Sequence, residues 1–96
     1  MNLNYTPQAV ADLDAIHAYI ASENPRIADQ VIARILQSMA VIESFPMIGR
    51  PGRIADTREW FLAGLPYVGI YTIADETEID VLTIVHTRRQ WPPAQV

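Results

Sequence analysis

Apolar residues recur at intervals of three and four along the first half of the chain, and in alternating or short unbroken runs along its last third. Val10, Leu13, Ile16 and Ile20 occupy about 120° of a helical wheel, the width of a core-facing stripe. Thr6-Pro7 precedes them as a cap followed by a proline at the first helical position, which predicts a helix from about Pro7 to Ser22. Asn24-Pro25 repeats the signal and predicts a second helix to about Ser44. Its apolar residues Ile27, Ala28, Val31, Ile32, Ile35, Met39 and Ile42 cover about 140°, and Leu36 widens the face. So few residues separate the two helices that they should fold back as an antiparallel hairpin.

Phe45-Pro46 ends the second helix, and Met47 to Arg53, with two glycines and a proline, reads as a loop. Arg58–Leu62, 67–74 and 78–85 read as strands, the last two joined by a hairpin turn at Asp75-Glu76-Thr77. Residues 2–5 form a short extended piece. The order is β-α-α-β-β-β. The expected fold is α+β, with a short N-terminal strand and a helix hairpin packed on a small antiparallel sheet.

A length of 96 residues sets the scale of one domain, 1–96, with one compact core. Cysteine is absent, which excludes a disulfide scaffold and a thiolate metal site. The N-terminus has neither a basic nor an apolar signal region, and no apolar run reaches the ~20 residues of a membrane span. A cytoplasmic protein with no membrane partner is the expectation. No metal or cofactor is expected either: His17 and His86 lack the further ligands that a metal site needs.

The net charge of −4 argues against a general nucleic-acid binder and against direct sequence-specific binding. All seven cations are arginine; lysine is absent. Arg50, Arg53 and Arg58 cluster near the middle, while Arg88 and Arg89 follow His86 in a tail that ends Gln90-Trp91-Pro92-Pro93. Arginine offers fixed bidentate recognition, but only lysine has a cationic charge that burial readily removes to make a base. If the tail lies beside the Arg58 strand, Arg58, Arg88 and Arg50 converge into a cationic patch on an acidic protein. Such a patch suits an acidic partner segment, a target enzyme or a phosphate backbone. The residues leave that choice open. His86 can equally be a strand-end residue bonding nearby backbone, and His17 a packing residue.

The ordered set of motifs resembles the RelE/ParE superfamily of bacterial toxins. It comprises Thr6-Pro7 with Asp12-Leu13, Ile16 and Tyr19-Ile20; Asn24-Pro25; Phe45-Pro46 with Gly49-Arg50-Pro51-Gly52; Thr57-Arg58-Glu59; Pro66-Tyr67 with Tyr71; Val81-Leu82; and His86 with Arg88-Arg89 and Trp91-Pro92. The loop, the Thr-Arg-Glu and the terminal His-x-x-Arg-x-Trp-Pro look like the ParE branch. The resemblance implies the toxin of a type II toxin–antitoxin pair, held inactive by a cognate antitoxin, ParD-like or a similar small DNA-binding protein. ParE-like members poison DNA gyrase; RelE-like members cut messenger RNA on the ribosome.

Cleavage by a 2′-hydroxyl needs a base, an acid and cations on the phosphate. RelE-like enzymes draw these from lysines, arginines and a C-terminal tyrosine. Here lysine is missing, and the terminal aromatic is Trp91, which has no phenolic proton. A variant set remains: His86 as acid or base, Glu59 or Glu43 as its partner, and Arg58 with Arg88 on the phosphate. The leading expectation is a gyrase-binding toxin with no catalytic residues. Arg50, Arg53, Arg58, Arg88, Arg89 and Trp91 are its candidate target or partner contacts. Val31, Ile35, Leu36, Met39 and Trp60 are its candidate antitoxin contacts. A ribosome-dependent endonuclease and a non-toxic antitoxin-binding paralogue are the alternatives.

Overall fold

A computed structural model describes residues 1–93. Strand β1 (Asn2–Tyr5) leads into helices α1 (Pro7–Ala21) and α2 (Pro25–Ser44). Strands β2 (Arg50–Pro51), β3 (Arg58–Phe61), β4 (Tyr67–Ile73) and β5 (Glu78–His86) complete one sheet of order β1-β5-β4-β3-β2. Both helices start where the cap signals place them. The Thr6 hydroxyl accepts from Ala9 N–H at 3.2 Å, and the Asn24 side-chain carbonyl accepts from Ile27 N–H at 3.2 Å, each followed by proline.

The α+β class is as expected, but the sheet is mixed. The N-terminal strand pairs parallel to β5, from Asn2↔Glu78 to Tyr5↔Val81, while β3, β4 and β5 form an antiparallel meander. Residues 50–51, expected as loop, add a short edge strand against Glu59 and Arg58. The α1 stripe is also rotated from the expected one. Ala9 is fully buried, Leu13, Ile16 and Ile20 are half-buried, and Val10 is 46% exposed.

Both helices cover one face of the sheet. Ile35, Met39 and Ile42 of α2 pack there against Tyr67, Tyr71, Ile79, Val81 and Ile84. Met39 sits close because Gly69 carries no side chain; a Cβ at Gly69 would collide with the Met39 thioether. Of the adjacent aromatics on β3, Trp60 faces the helices, half-buried, with its indole N–H donating to Ser38 C=O at 3.1 Å, whereas Phe61 faces the other side and is 44% exposed.

The loop after α2 is pinned from beneath. The Tyr71 hydroxyl donates to Pro46 C=O at 2.6 Å and accepts from Gly49 N–H at 2.9 Å. The Arg58 guanidinium donates to Gly49 C=O at 2.6 Å and Met47 C=O at 3.3 Å. A side chain at Gly49 would strike the Tyr71 hydroxyl, at 2.7 Å. Burial raises the Tyr71 phenol above its ordinary pKa, although the Gly49 bond and Arg58 pull the other way.

Candidate functional site

The face away from the helices holds a second, smaller apolar cluster. Val68, Ile70 and Val85 are buried there, and Trp91 from the tail packs against them. The chain past β5 therefore turns back over the sheet. Arg89 N–H donates to His86 C=O at 2.9 Å, which tightens the reversal, and the Arg53 guanidinium donates to the Trp91 carbonyl. The Trp91 indole N–H is buried without a partner among the described residues.

A carboxylate organises the same face. Glu59, on β3, is only 4% exposed. Its carboxylate accepts from the Arg50 guanidinium at 3.2 Å and from Arg53 N–H at 3.1 Å. Arg50 also lies 4.6 Å from the centre of the Phe61 ring, a cation–π position. Glu59 thus holds the Arg50–Arg53 segment over the sheet, and Arg53 in turn holds the tail. The sequence offers Glu59 either as a partner of His86 or as an ordinary cross-strand pair with Arg58. The sharper signal was strand alternation, which puts Glu59 on one face with Phe61 and within reach of the preceding arginines.

The expected convergence of Arg58, Arg88 and Arg50 does not occur, because β4 lies between β3 and β5. Arg58 is level with Tyr71 and Val81, whereas His86 is level with Tyr67. Those levels are four residues of β4, about 13 Å, apart along the strands, at roughly 3.3 Å per residue. Arg58 is committed to the loop carbonyls, and Glu59 pairs with Arg50 instead of Arg58. Arg53 reaches the tail, whereas Arg50 is held by Glu59 and the Phe61 ring; Arg88 and Arg89 stay exposed on the turn after β5.

His86 is half-buried at the end of β5. Its ring meets Tyr67 edge-on, 5.4 Å between centres at 84°. The Arg88 N–H donates to Nδ1 at 3.0 Å, so the neutral ring carries its proton on Nε2. Burial, and secondarily Tyr19, raise the Tyr67 phenol above its ordinary range. Glu43 lies at the far end of α2, where its backbone carbonyl accepts from the N-terminal ammonium at 3.2 Å. His17 ties the two helices together instead of packing in the core: its Nε2 lies 2.8 Å from Asp29 Oδ1.

The candidate antitoxin contacts divide by burial. Ile35 and Met39 are fully buried, so they present no surface while α2 sits on the sheet. Val31 and Trp60 are half-buried, and Leu36 is 41% exposed beside the outward half of the helix. Among the described residues no cluster of histidines and acids is able to hold a metal ion, and no helix is long and apolar enough to cross a membrane.

Residues 3–91 match the model of a family described as the ParE toxin of the type II toxin–antitoxin system parDE. The chain is 42% identical over 90 residues to a protein of Sinorhizobium fredii (strain NBRC 101917 / NGR234) called "Putative toxin Y4kP", covering 94% of this chain and 92% of that one. Among solved structures it resembles a chain of a chromosomal ParDE toxin–antitoxin system from P. aeruginosa. The TM-score is 0.79 at 27% identity, over 90% of this chain and 95% of that one.

Proposed function

We propose that this chain, which belongs to the ParE toxin family of type II toxin–antitoxin systems, acts in the cytoplasm by binding and inhibiting DNA gyrase and is neutralised by a cognate antitoxin. The observation that carries the binding mode is the separation of Arg58 from His86, which leaves Arg88 and Arg89 as the cations next to the histidine in sequence. Acid–base attack on RNA requires a proton-transfer group and phosphate-binding cations around one reacting centre. His86 and Arg58 stand four residues of β4 apart with that strand between them, Arg58 is spent on loop carbonyls, and lysine is absent. What the chain offers instead is a contact surface: Arg88 and Arg89 exposed on one turn, Arg53 against the docked tail, and Arg50 beside Glu59 and Phe61. The antitoxin, in this reading, covers the outer side of α2 through Leu36 and the accessible part of Val31.

Expression without the antitoxin, with purified protein assayed on gyrase supercoiling and transcripts mapped in the same arrested cells, tests the proposal. Inhibited supercoiling with intact transcripts is the expected result. Codon-associated cuts alongside normal supercoiling would replace the reading with a ribosome-dependent nuclease. Hydrogen exchange of residues 31–43 with and without antitoxin checks the partner surface; protection of the Leu36 amide region is expected, and unchanged exchange removes α2 from the interface.

A further inference from the structure

β1 guards only part of the edge of β5. Its pairing stops at Tyr5↔Val81, where the chain turns into α1, while β5 continues to His86. Thr87 N–H donates to Pro66 C=O at 2.9 Å, which makes Tyr67↔His86 a non-hydrogen-bonded pair. The backbone groups of His86, and those of Ile84 two residues earlier, therefore point away from β4 toward the vacated edge. Ile84 N–H accordingly meets the Asp12 carboxylate of α1 at 3.1 Å. His86 C=O is taken by Arg89 N–H at 2.9 Å.

Ile84 C=O and His86 N–H remain directed at the edge. In a parallel ladder one incoming residue bonds the carbonyl before, and the N–H after, the residue it faces; an antiparallel strand needs both groups of a single residue. Asp12 and Arg89 have each taken one group from the two residues, so the pattern left over is the parallel one, centred on Val85.

Beside these groups runs a groove of about 290 Å³, walled by Ile16 and Tyr19 of α1 and by Tyr67, His86 and Arg89. Tyr19 forms its rim and is 81% exposed. The two ends differ in charge. At one end the Asp12 carboxylate is already met by the Gln8 side chain at 2.8 Å, by the Thr83 hydroxyl and by Ile84 N–H. At the other end stands Arg89, which has no carboxylate within salt-bridge distance among the described residues.

We infer that this groove takes an extended segment of a partner protein, running parallel to β5 in the line that β1 abandons. One apolar side chain of the segment enters between Ile16, Tyr19 and Tyr67, and an acidic side chain two residues later, on the same face, meets Arg89. Strand addition to an exposed edge supplies affinity through the main chain and selectivity through alternate side-chain pockets. The inference does not depend on the gyrase reading.

The lack of cysteine makes the test direct. Ala15 lines the groove and Ala40 is exposed on α2, so Ala15→Cys and Ala40→Cys give an on-site and an off-site thiol. The probe is the blocked peptide acetyl-Thr-Cys-Val-Glu-Thr-amide under reversible disulfide exchange. Capture by the Ala15→Cys variant should exceed capture by Ala40→Cys by about tenfold, equivalent to 1.4 kcal/mol. Lysine in place of glutamate in the peptide, or Arg89→Ala in the protein, should abolish the preference, and the captured peptide should shift and protect the His86 amide. Equal capture at both thiols, a preference indifferent to the glutamate, or an unmoved His86 amide would each overturn the inference.

Discussion

The two faces of the sheet are covered by different means. On one, two helices bring down a continuous apolar layer in which Ile35, Met39, Ile42 and Tyr71 lose all contact with solvent. On the other, three apolar side chains are covered by an indole, and the cover is held by one chain of polar contacts from Glu59 through Arg53 to the tail. The first face is stabilised by area, which is distributed and hard to undo at one point. The second depends on a few groups, and so is the part of the molecule that can open without unfolding the rest. That asymmetry suits a protein whose work is contact with others: a rigid platform on one side, adjustable surface on the other.

The helix-covered face should respond most strongly to substitution. Met39→Ala removes a fully buried side chain seated over Gly69, and the backbone contact that Gly69 permits cannot close the gap. A loss of about 2–4 kcal/mol is expected in urea unfolding. A loss below 1 kcal/mol would mean that α2 settles onto the sheet when the side chain shrinks, and that this face is less rigid than its burial implies.

Tyr71→Phe comes next. The ring is retained, but Gly49 N–H and Pro46 C=O lose their shared partner inside the loop that follows α2. Burying unsatisfied backbone groups costs about 1–3 kcal/mol. The amide of Gly49 should exchange faster in the variant while amides of β5 keep their protection. Uniform loss of protection would show that the loop is not a separable unit.

On the tail-covered face, Trp91→Ala should cost only about 1 kcal/mol, because the side chain is half-buried and its indole N–H has no partner to lose among the described residues. Its effect should be local. Fluorescence read from Trp91 alone, in a Trp60→Phe background, should redden when Glu59→Gln weakens the hold on Arg53, with the unfolding midpoint little changed. If Glu59→Gln leaves the emission in place, the carboxylate does not control the tail and the two faces are more alike than their contacts suggest.

Local signals carried most of the framework. Thr6-Pro7 and Asn24-Pro25 announce both helix starts because cap and proline act within one turn, and the alternation of a strand is enough to put Trp60 and Phe61 on opposite faces. What was not legible depends on groups distant in sequence. The pairing of Asn2–Tyr5 with Glu78–Val81 leaves no local mark of its direction. Placing β4 between β3 and β5 separates Arg58 from His86, and no spacing of charges along the chain foretells it. The rotation of the α1 stripe onto Ala9 has a similar origin: a small residue is chosen by how closely the sheet approaches, which periodicity does not encode. Trp91, expected as a partner contact, meets first its own sheet.

The smallest effect at neutral pH separates the two faces by chemistry. The buried phenols belong to the helix-covered side: Tyr71 and Tyr67 are in its core, and Tyr5 packs against it. Burial raises all three above the ordinary value of 10.0, and Tyr5, with Glu43 adding to the burial, reaches about 12. A folded-state pKa above the unfolded one gives stability that is complete below pH 10 and is lost as the pH climbs through the folded value, because the unfolded phenol ionises first. Unfolding free energy should therefore be level up to about pH 10 and fall between pH 10 and 12. Near-ultraviolet phenolate absorbance should lag behind that of the denatured chain over the same interval. Tyr5→Phe should blunt the alkaline fall, and Trp91→Ala should leave it untouched. An equal change from both substitutions would mean that the tail and the helices come off the sheet together.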